Sequence, residues 1–225
     1  MTKPIDFAKL LRVNSFFEGL DDAVIARLAS LCRVQHIAAG ETLFVKGDDG
    51  GALYGIRRGQ IRIETGTSLG ETLTLNMLGS GDIFGEIALF DGQPRTADAV
   101  AAEATELFVL KRADFLALLN KDAQIAIRVI EFLCQRLRWV SDRLEEATLL
   151  PLPVRLARRL IRLGQDFGSE VNISQEQLAN YVGAARESVN RQLQVWRRAG
   201  ILDLRRGAIL VLDMQKLSAE SRADG

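Results

Sequence analysis

The sequence predicts an α+β chain in three parts: an antiparallel sandwich or roll of short strands, one long helix, and a helix-turn-helix unit followed by a small hairpin. Three observations point to it. Between Val34 and Leu110, short apolar or alternating segments are divided by Gly40, Gly47, Gly50, Gly51, Gly59, Gly66, Gly70, Gly79, Gly81 and Gly92, as in a sheet of many short strands. Ile127, Ile130, Cys134, Leu137, Ser141, Leu144 and Thr148 fall on the alternating three-four spacing of a coiled-coil seam. From Ser174 onward, cap and turn residues stand where two short crossed helices need them.

Taken in order, residues Asp6 to Val13 and Asp21 to Cys32 read as short helices, the second capped by Asp21, with Val24, Ile25, Leu28, Ala29 and Leu31 near helical spacing. Ile61-Arg62-Ile63-Glu64 and Leu73-Thr74-Leu75-Asn76-Met77 alternate with period two, as half-buried strands do. A short helix follows over Ala113 to Asn120, then the long one over Asp122 to Thr148, about 40 Å at 1.5 Å per residue. The apolar seam needs a partner, either the roll of the same chain or the identical helix of a second subunit. The helix is longer than cover for a small domain requires, which favours a parallel homodimer.

Leu150-Pro151-Leu152-Pro153 ends that helix, because proline lacks an N–H and disfavours helix in its predecessor. This is the expected hinge, giving domains over 1–120, 121–150 and 151–225. Val154 to Leu163 reads as a packing helix with a solvated face of Arg155, Arg158, Arg159 and Arg162. Ser174-Gln175-Glu176-Gln177 has the form of a capping box, and Gln175, Ala179, Gly183 and Val189 supply the small crossing residue, the turn glycine and the apolar anchor of a helix-turn-helix. Gly200 stops the second helix, Leu204 to Leu212 reads as a hairpin or wing with arginines placed toward backbone phosphate, and residues after about Lys216 are expected to fray.

Composition narrows the function classes. With 48% hydrophobic and 26% charged residues in 225, the chain has an ordinary soluble globular composition. Its apolar runs fall far short of the roughly 20 residues of a membrane span, and Met1-Thr2-Lys3-Pro4-Ile5-Asp6 lacks a signal peptide's apolar core, so a cytoplasmic protein without membrane contact is expected. Cys32 and Cys134 match no metal spacing and read as buried, reduced thiols. The formal net charge of zero conceals an asymmetry: residues 1–120 carry 12 Lys/Arg against 16 Asp/Glu, and residues 151–225 carry 12 against 8, eleven of the twelve being arginine. Only the C-terminal part is suited to a polyanion. No Ser/His/Asp grouping, two-metal carboxylate cluster or Walker-type loop is visible, so no enzyme is expected.

The chemistry concentrates in Phe84-Gly85-Glu86-Ile87-Ala88-Leu89-Phe90-Asp91-Gly92-Gln93-Pro94-Arg95-Thr96-Ala97. A guanidinium offers a planar fork of donors to phosphate, backbone N–H groups around Gly85 can approach an anion, and the Glu86 carboxylate can accept from a ribose hydroxyl. This stretch resembles the phosphate-binding cassette of cyclic-nucleotide-binding domains. The chain from Phe16 to Leu212 resembles the cAMP receptor protein (CRP/FNR) family of bacterial transcription regulators. That resemblance implies a jelly-roll sensor with a winged helix-turn-helix. Arg95 would hold a cyclic phosphate, Glu86 the ribose 2'-hydroxyl, and Gly85, Ile87 and Thr96 would complete the cradle. Val140 and Ser141 would reach the base, one of them from the neighbouring subunit. Val140 stands where a hydroxyl residue is familiar, and Thr96 also occurs in cGMP-binding relatives, so cAMP or cGMP is the expected effector, cAMP first. Glu86 argues against the dinucleotide-binding variants. With a single histidine, His36, and two cysteines, the chain does not suit the haem and iron–sulfur branches, the latter needing typically four thiolates, and no metal is expected.

For the C-terminal unit, Arg186, Glu187 and Arg191 match the family's base-reading triplet. Arginine pairs with guanine O6/N7 and glutamate accepts from cytosine N4, so a homodimer on double-stranded DNA is expected to read a TGTGA-type palindrome. Ser174, Gln175 and Ser188 are the expected phosphate contacts. Ala185 lacks a capping hydroxyl. RNA polymerase is the further partner the resemblance implies. A ligand-independent DNA-binding protein keeping the roll as a dimer platform is the alternative.

Overall fold

The computed structural model describes residues 7–13, 17, 21–67, 72–120 and 123–222; the expectations placed on Asp6, Gly70 and Asp122 lie outside them. The chain forms two compact units, residues 1–65 with 75–139 and residues 66–74 with 140–225.

In the first unit, helices α1 (Phe7–Val13) and α2 (Asp22–Leu31) precede strands β1 (Arg33–Ile37), β2 (Thr42–Phe44), β3 (Ala52–Arg58), β4 (Ile61–Gly66) and β5 (Thr72–Leu78). Then come β6 (Ile83–Phe84), α3 (Glu86–Asp91), β7 (Asp98–Ala101), β8 (Thr105–Lys111) and α4 (Arg112–Leu119). The strands make two four-stranded sheets, ordered β1-β8-β3-β6 and β2-β7-β4-β5. Sequence neighbours are mostly not sheet neighbours, which is the jelly-roll pattern. Asp21 takes the N-cap position of α2, but its side chain makes no cap bond.

Register decides what lines the roll. Tyr54 stands opposite Phe84 across β3 and β6, and Phe44 opposite Ala99 across β2 and β7. Phe44, Tyr54 and Phe84 thereby meet, with ring centroids 5.3 to 6.2 Å apart and drawn from both sheets. Ile56, Ile61, Ala99, Ala101 and Leu107 continue this core. A second cluster, with Leu10, Leu11, Leu28, Leu53, Phe115 and Ile125, lies where the helices pack.

Helix α5 (Ala123–Leu149) has two apolar faces. Ile125, Val129 and Phe132, spaced four and three, are buried in the helix-packing core. The predicted seam is on the other face: Ile127, Ile130, Leu137 and Leu144 are 46 to 68% exposed. Within the first unit, Ile127 and Ile130 thus stay largely open to solvent. Cys134, expected buried, is exposed on this face, whereas burial of Cys32 raises its thiol pKa to about 12 and keeps it protonated.

The second unit continues with α6 (Leu152–Phe167), β9 (Glu170–Val171), α7 (Gln175–Val182), α8 (Arg186–Arg198), β10 (Leu202–Arg205), β11 (Ala208–Val211) and α9 (Met214–Glu220). Leu150 and Pro151 break the helix as expected, but α6 starts earlier than Val154, with Pro153 in its first turn, where no N–H is missed. The strands form a sheet ordered β10-β11-β9. The stretch from Lys216 to Glu220, expected to fray, is instead the body of α9, capped by Asp213 accepting from the Lys216 N–H at 2.9 Å and anchored by the fully buried Leu217. A single buried leucine in a polar segment left no periodicity to read.

Candidate functional site

The cassette is a strand end, a glycine, a short helix and a return turn. Gly85 caps α3 at φ 83°, where the left-handed backbone favours glycine. A Cβ there would lie 2.7 Å from Arg95 Nη1 and 3.3 Å from both the Ala52 carbonyl and the Tyr54 ring, so the side chain's absence makes room for the guanidinium. Arg95 follows the turn, its backbone tied to the loop after β2: its N–H donates to the Asp48 carbonyl at 2.8 Å, and its carbonyl accepts from Gly47 at 2.9 Å. The side chain runs inward, into the roll.

There Arg95 is 4% exposed. It donates from Nη1 to the Gly85 carbonyl at 2.9 Å and from Nη2 to the Ala52 carbonyl at 2.8 Å. Its charged centre lies 4.3 Å from the Phe44 ring centroid and 5.5 Å from that of Tyr54. Burial lowers the guanidinium pKa from its usual value, opposed by Tyr54, Glu86 and Asp48. Two of its five donors thus serve carbonyls, while the buried Nε–H has no hydrogen-bond partner. A buried, unsatisfied donor on a cation suits an incoming anion.

Glu86 opens α3 and is 6% exposed. Its carboxylate lies 3.5 Å from Arg136 Nε, and Arg136 also donates to the Ile83 carbonyl at 3.1 Å and stacks on Phe132. Arg136 was not among the sequence candidates. It sits on α5, fifty residues from its carboxylate, and only packing of that helix on the cassette reveals the pair. Ile87 and Thr96 are exposed. Val140 and Ser141 are exposed on the part of α5 that belongs to the second unit.

In the second unit the capping box forms in full: Ser174 Oγ accepts from the Gln177 N–H at 3.1 Å, and the Ser174 N–H donates to Gln177 Oε1 at 2.9 Å. The Ser174 hydroxyl keeps its own hydrogen to offer elsewhere. Gly183 ends α7 at φ 69°, the turn before α8. Val189, Leu193 and Trp196, spaced four and three, bury one face of α8, leaving Arg186, Glu187, Ser188 and Arg191 exposed on its first turns. Ala185 takes the N-cap position without a side-chain bond. A cleft of about 200 Å³ between the start of α7, the start of α8 and the hairpin is lined by Ser174, Gln175, Glu176, Arg186, Arg205 and Gly207. Arg186 pairs with Glu176 at 3.9 Å, and Arg205 with Glu170 at 2.7 Å.

These two geometries have known counterparts. The cyclic nucleotide-binding domain family matches residues 34–122 and the Crp-like helix-turn-helix domain family matches residues 154–220. The cyclic AMP receptor protein of Thermus thermophilus is 32% identical over 202 residues, covering 89% of this chain and 94% of its own. This chain belongs to the CRP/FNR family of transcription regulators. The CRP-like cAMP-activated global transcriptional regulator of Mycobacterium tuberculosis is 28% identical over 222 residues, covering 95% and 99% of the two chains. The crystal structure of another Thermus thermophilus CRP/FNR-family regulator superimposes with a TM-score of 0.73 at 27% identity, over 86% of this chain and all of the other.

As a CRP/FNR-family regulator the chain is a DNA-binding protein with a cyclic nucleotide-binding domain, and the family is not enzymatic. Among the described residues no helix is long and apolar enough to cross a membrane. The structure changes the reading of α6 drawn from its amphipathic pattern. The arginine face of α6 is solvated only in part: Arg158 and Arg162 remain open to solvent, but Arg159 is 9% exposed, Arg158 and Arg159 donate to the two oxygens of Glu146 at 3.1 and 2.8 Å, and Arg155 donates to the Val182 carbonyl at 3.0 Å. Arg143 donates to the Tyr181 hydroxyl at 2.9 Å, and the Arg143 and Arg159 guanidiniums lie 5.2 and 5.6 Å from that ring. The last turns of α5 are thereby bolted to the first helices of the DNA-binding unit. An amphipathic pattern gives the face but not its partner, so sequence assigned this face to water.

Proposed function

We propose that this regulator is a homodimer that reads a TGTGA-type palindrome under the control of a cyclic mononucleotide, cAMP first. The observation that carries the sensing half is Arg95: buried, oriented by two carbonyls, with an unpartnered Nε–H. Arg95 takes the cyclic phosphate, Gly85 and Ile87 lie along its backbone cradle, and Thr96 closes it. Glu86 accepts from the ribose 2'-hydroxyl while Arg136 holds that carboxylate in place. Val140 and Ser141 contact the base. The names of the two CRP relatives described above support cAMP ahead of cGMP; the Thr96 hydroxyl supports cGMP as the second effector. Arg186, Glu187 and Arg191 read bases, and Ser174, Gln175 and Ser188 hold phosphates. The protein works in the cytoplasm on double-stranded DNA, with RNA polymerase as a further partner.

Nucleotide can act only through a difference in affinity between two arrangements of the dimer. The favoured one sets the recognition helices about 34 Å apart, the spacing of successive major grooves. Adding cAMP is expected to tighten binding to a TGTGA palindrome at fixed salt, read by fluorescence anisotropy, with calorimetry reporting heat for cAMP above cGMP. Equal DNA affinity with and without either nucleotide removes the switch and leaves the ligand-independent reading.

The exposed seam of α5 supports the dimer, since Ile130 and Leu144 are 60 and 68% exposed. In a parallel, in-register pair, residues of one seam layer face each other across the axis, and Cys134 occupies such a layer. Mild oxidation is expected to give a covalent dimer on a non-reducing gel, reversed by dithiothreitol and lost in Cys134→Ser. A band that survives Cys134→Ser, or none at all, excludes that register.

A further inference from the structure

We propose that Phe44 and Tyr54 are positioning residues for Arg95, forming an aromatic clamp that aims its guanidinium at the phosphate. This rests on the reading that Arg95 takes the cyclic phosphate. An arginine side chain is long and loses considerable rotamer freedom when it binds an anion. Here that freedom is already removed. Phe44, from one sheet of the roll, lies 4.3 Å from the charged centre, and Tyr54, from the other, lies 5.5 Å away. The rings are themselves fixed: Tyr54 stacks on the buried Phe84 at 5.3 Å with an interplanar angle of 21°, and Phe44 contacts both. Register holds them, because Tyr54 and Phe84 are cross-strand partners.

The carbonyls of Gly85 and Ala52 take up Nη1 and Nη2, and the rings hold the charged centre. Nε–H is left buried and unpartnered. A cation held by carbonyl dipoles and ring faces keeps its charge without a carboxylate hydrogen-bonded to it, so an incoming phosphate displaces no bound anion. Ring electron density, not ring size alone, is then what sustains the geometry.

The test uses full-length protein carrying mono-, di- or trifluorophenylalanine at position 44, which withdraws electron density from the ring face while changing its size little. Affinity for cAMP, measured by calorimetry, is expected to fall stepwise, reaching roughly tenfold for the trifluoro variant, with an unchanged melting temperature. Phe44→Leu is expected to lose about tenfold to thirtyfold, and Phe44→Tyr to restore most of it. Tyr54→Phe, which keeps the ring, is expected to bind within about threefold of wild type and Tyr54→Leu to bind about tenfold more weakly. Flat affinity across the fluorinated series, with wild-type protein binding normally, overturns the clamp and leaves the nucleotide reading intact. A rise in affinity also overturns it, since the rings would then restrain Arg95 from the ligand. No heat from wild-type protein with cAMP or cGMP overturns both.

Discussion

Arg95→Ala is expected to abolish measurable cAMP binding. Hydrogen bonds between a charged donor and its partner contribute about 1.5 to 3 kcal/mol each, and a forked arginine contact makes two, so loss of the pair weakens binding by roughly 10² to 10⁴-fold. The same substitution strips the Gly85 and Ala52 carbonyls of their donor, at a cost of about 1 to 3 kcal/mol each if they stay dry. Arg95→Lys separates the two effects. An ammonium keeps the charge but cannot serve two carbonyls and present a planar edge to phosphate at once. It should therefore retain a folded roll by thermal melting while losing most of the calorimetric heat. Undiminished cAMP affinity in Arg95→Lys would place the phosphate elsewhere.

The second large effect belongs to Arg186→Ala. A bidentate arginine–guanine pair is worth about 1 to 3 kcal/mol of discrimination, and a two-fold dimer makes it twice, so roughly 2 to 6 kcal/mol of specificity is at stake for a full palindrome. Competition binding at one fixed salt concentration should show the wild type rejecting a palindrome with the contacted guanine replaced, and Arg186→Ala binding both sequences nearly alike. Ser188→Ala should instead weaken both equally, because a phosphate contact sets register without reading sequence. Persistent discrimination by Arg186→Ala assigns base reading to other residues. Loss of Glu176, the carboxylate 3.9 Å from Arg186, is not expected to mimic this effect, since an exposed pair at that distance contributes little.

The structure surrounds the cassette with residues that carry no local signature. The capping box at Ser174, the left-handed Gly183 and the buried Val189 each depend on residues within a turn or two, so the local geometry of the helix-turn-helix was legible in sequence. The cassette was legible as a spacing of glycine, acid and arginine. Its depth was not: nothing near Arg95 in sequence announces Phe44, Tyr54 or Ala52, and nothing near Glu86 announces Arg136. Those partners are 41 to 51 residues distant and meet only because strand register and helix packing bring them together. The seam of α5 is an intermediate case. Its period was plain, but a second apolar stripe, Ile125-Val129-Phe132, decides which face the roll covers.

By itself, then, the amino-acid order determined the alternation of strands, the glycine-marked turns, the long helix and the two-helix reader, all set by steric and hydrogen-bonding preferences acting over a few residues. Tertiary structure alone decided that the cassette arginine faces inward onto two carbonyls and two rings, that Arg158 and Arg159 bind Glu146, and that Met214–Glu220 is a docked helix. The reason is physical: a long cationic side chain has many rotamers of similar energy, and which one it keeps depends on the acceptors and faces that distant segments bring within reach.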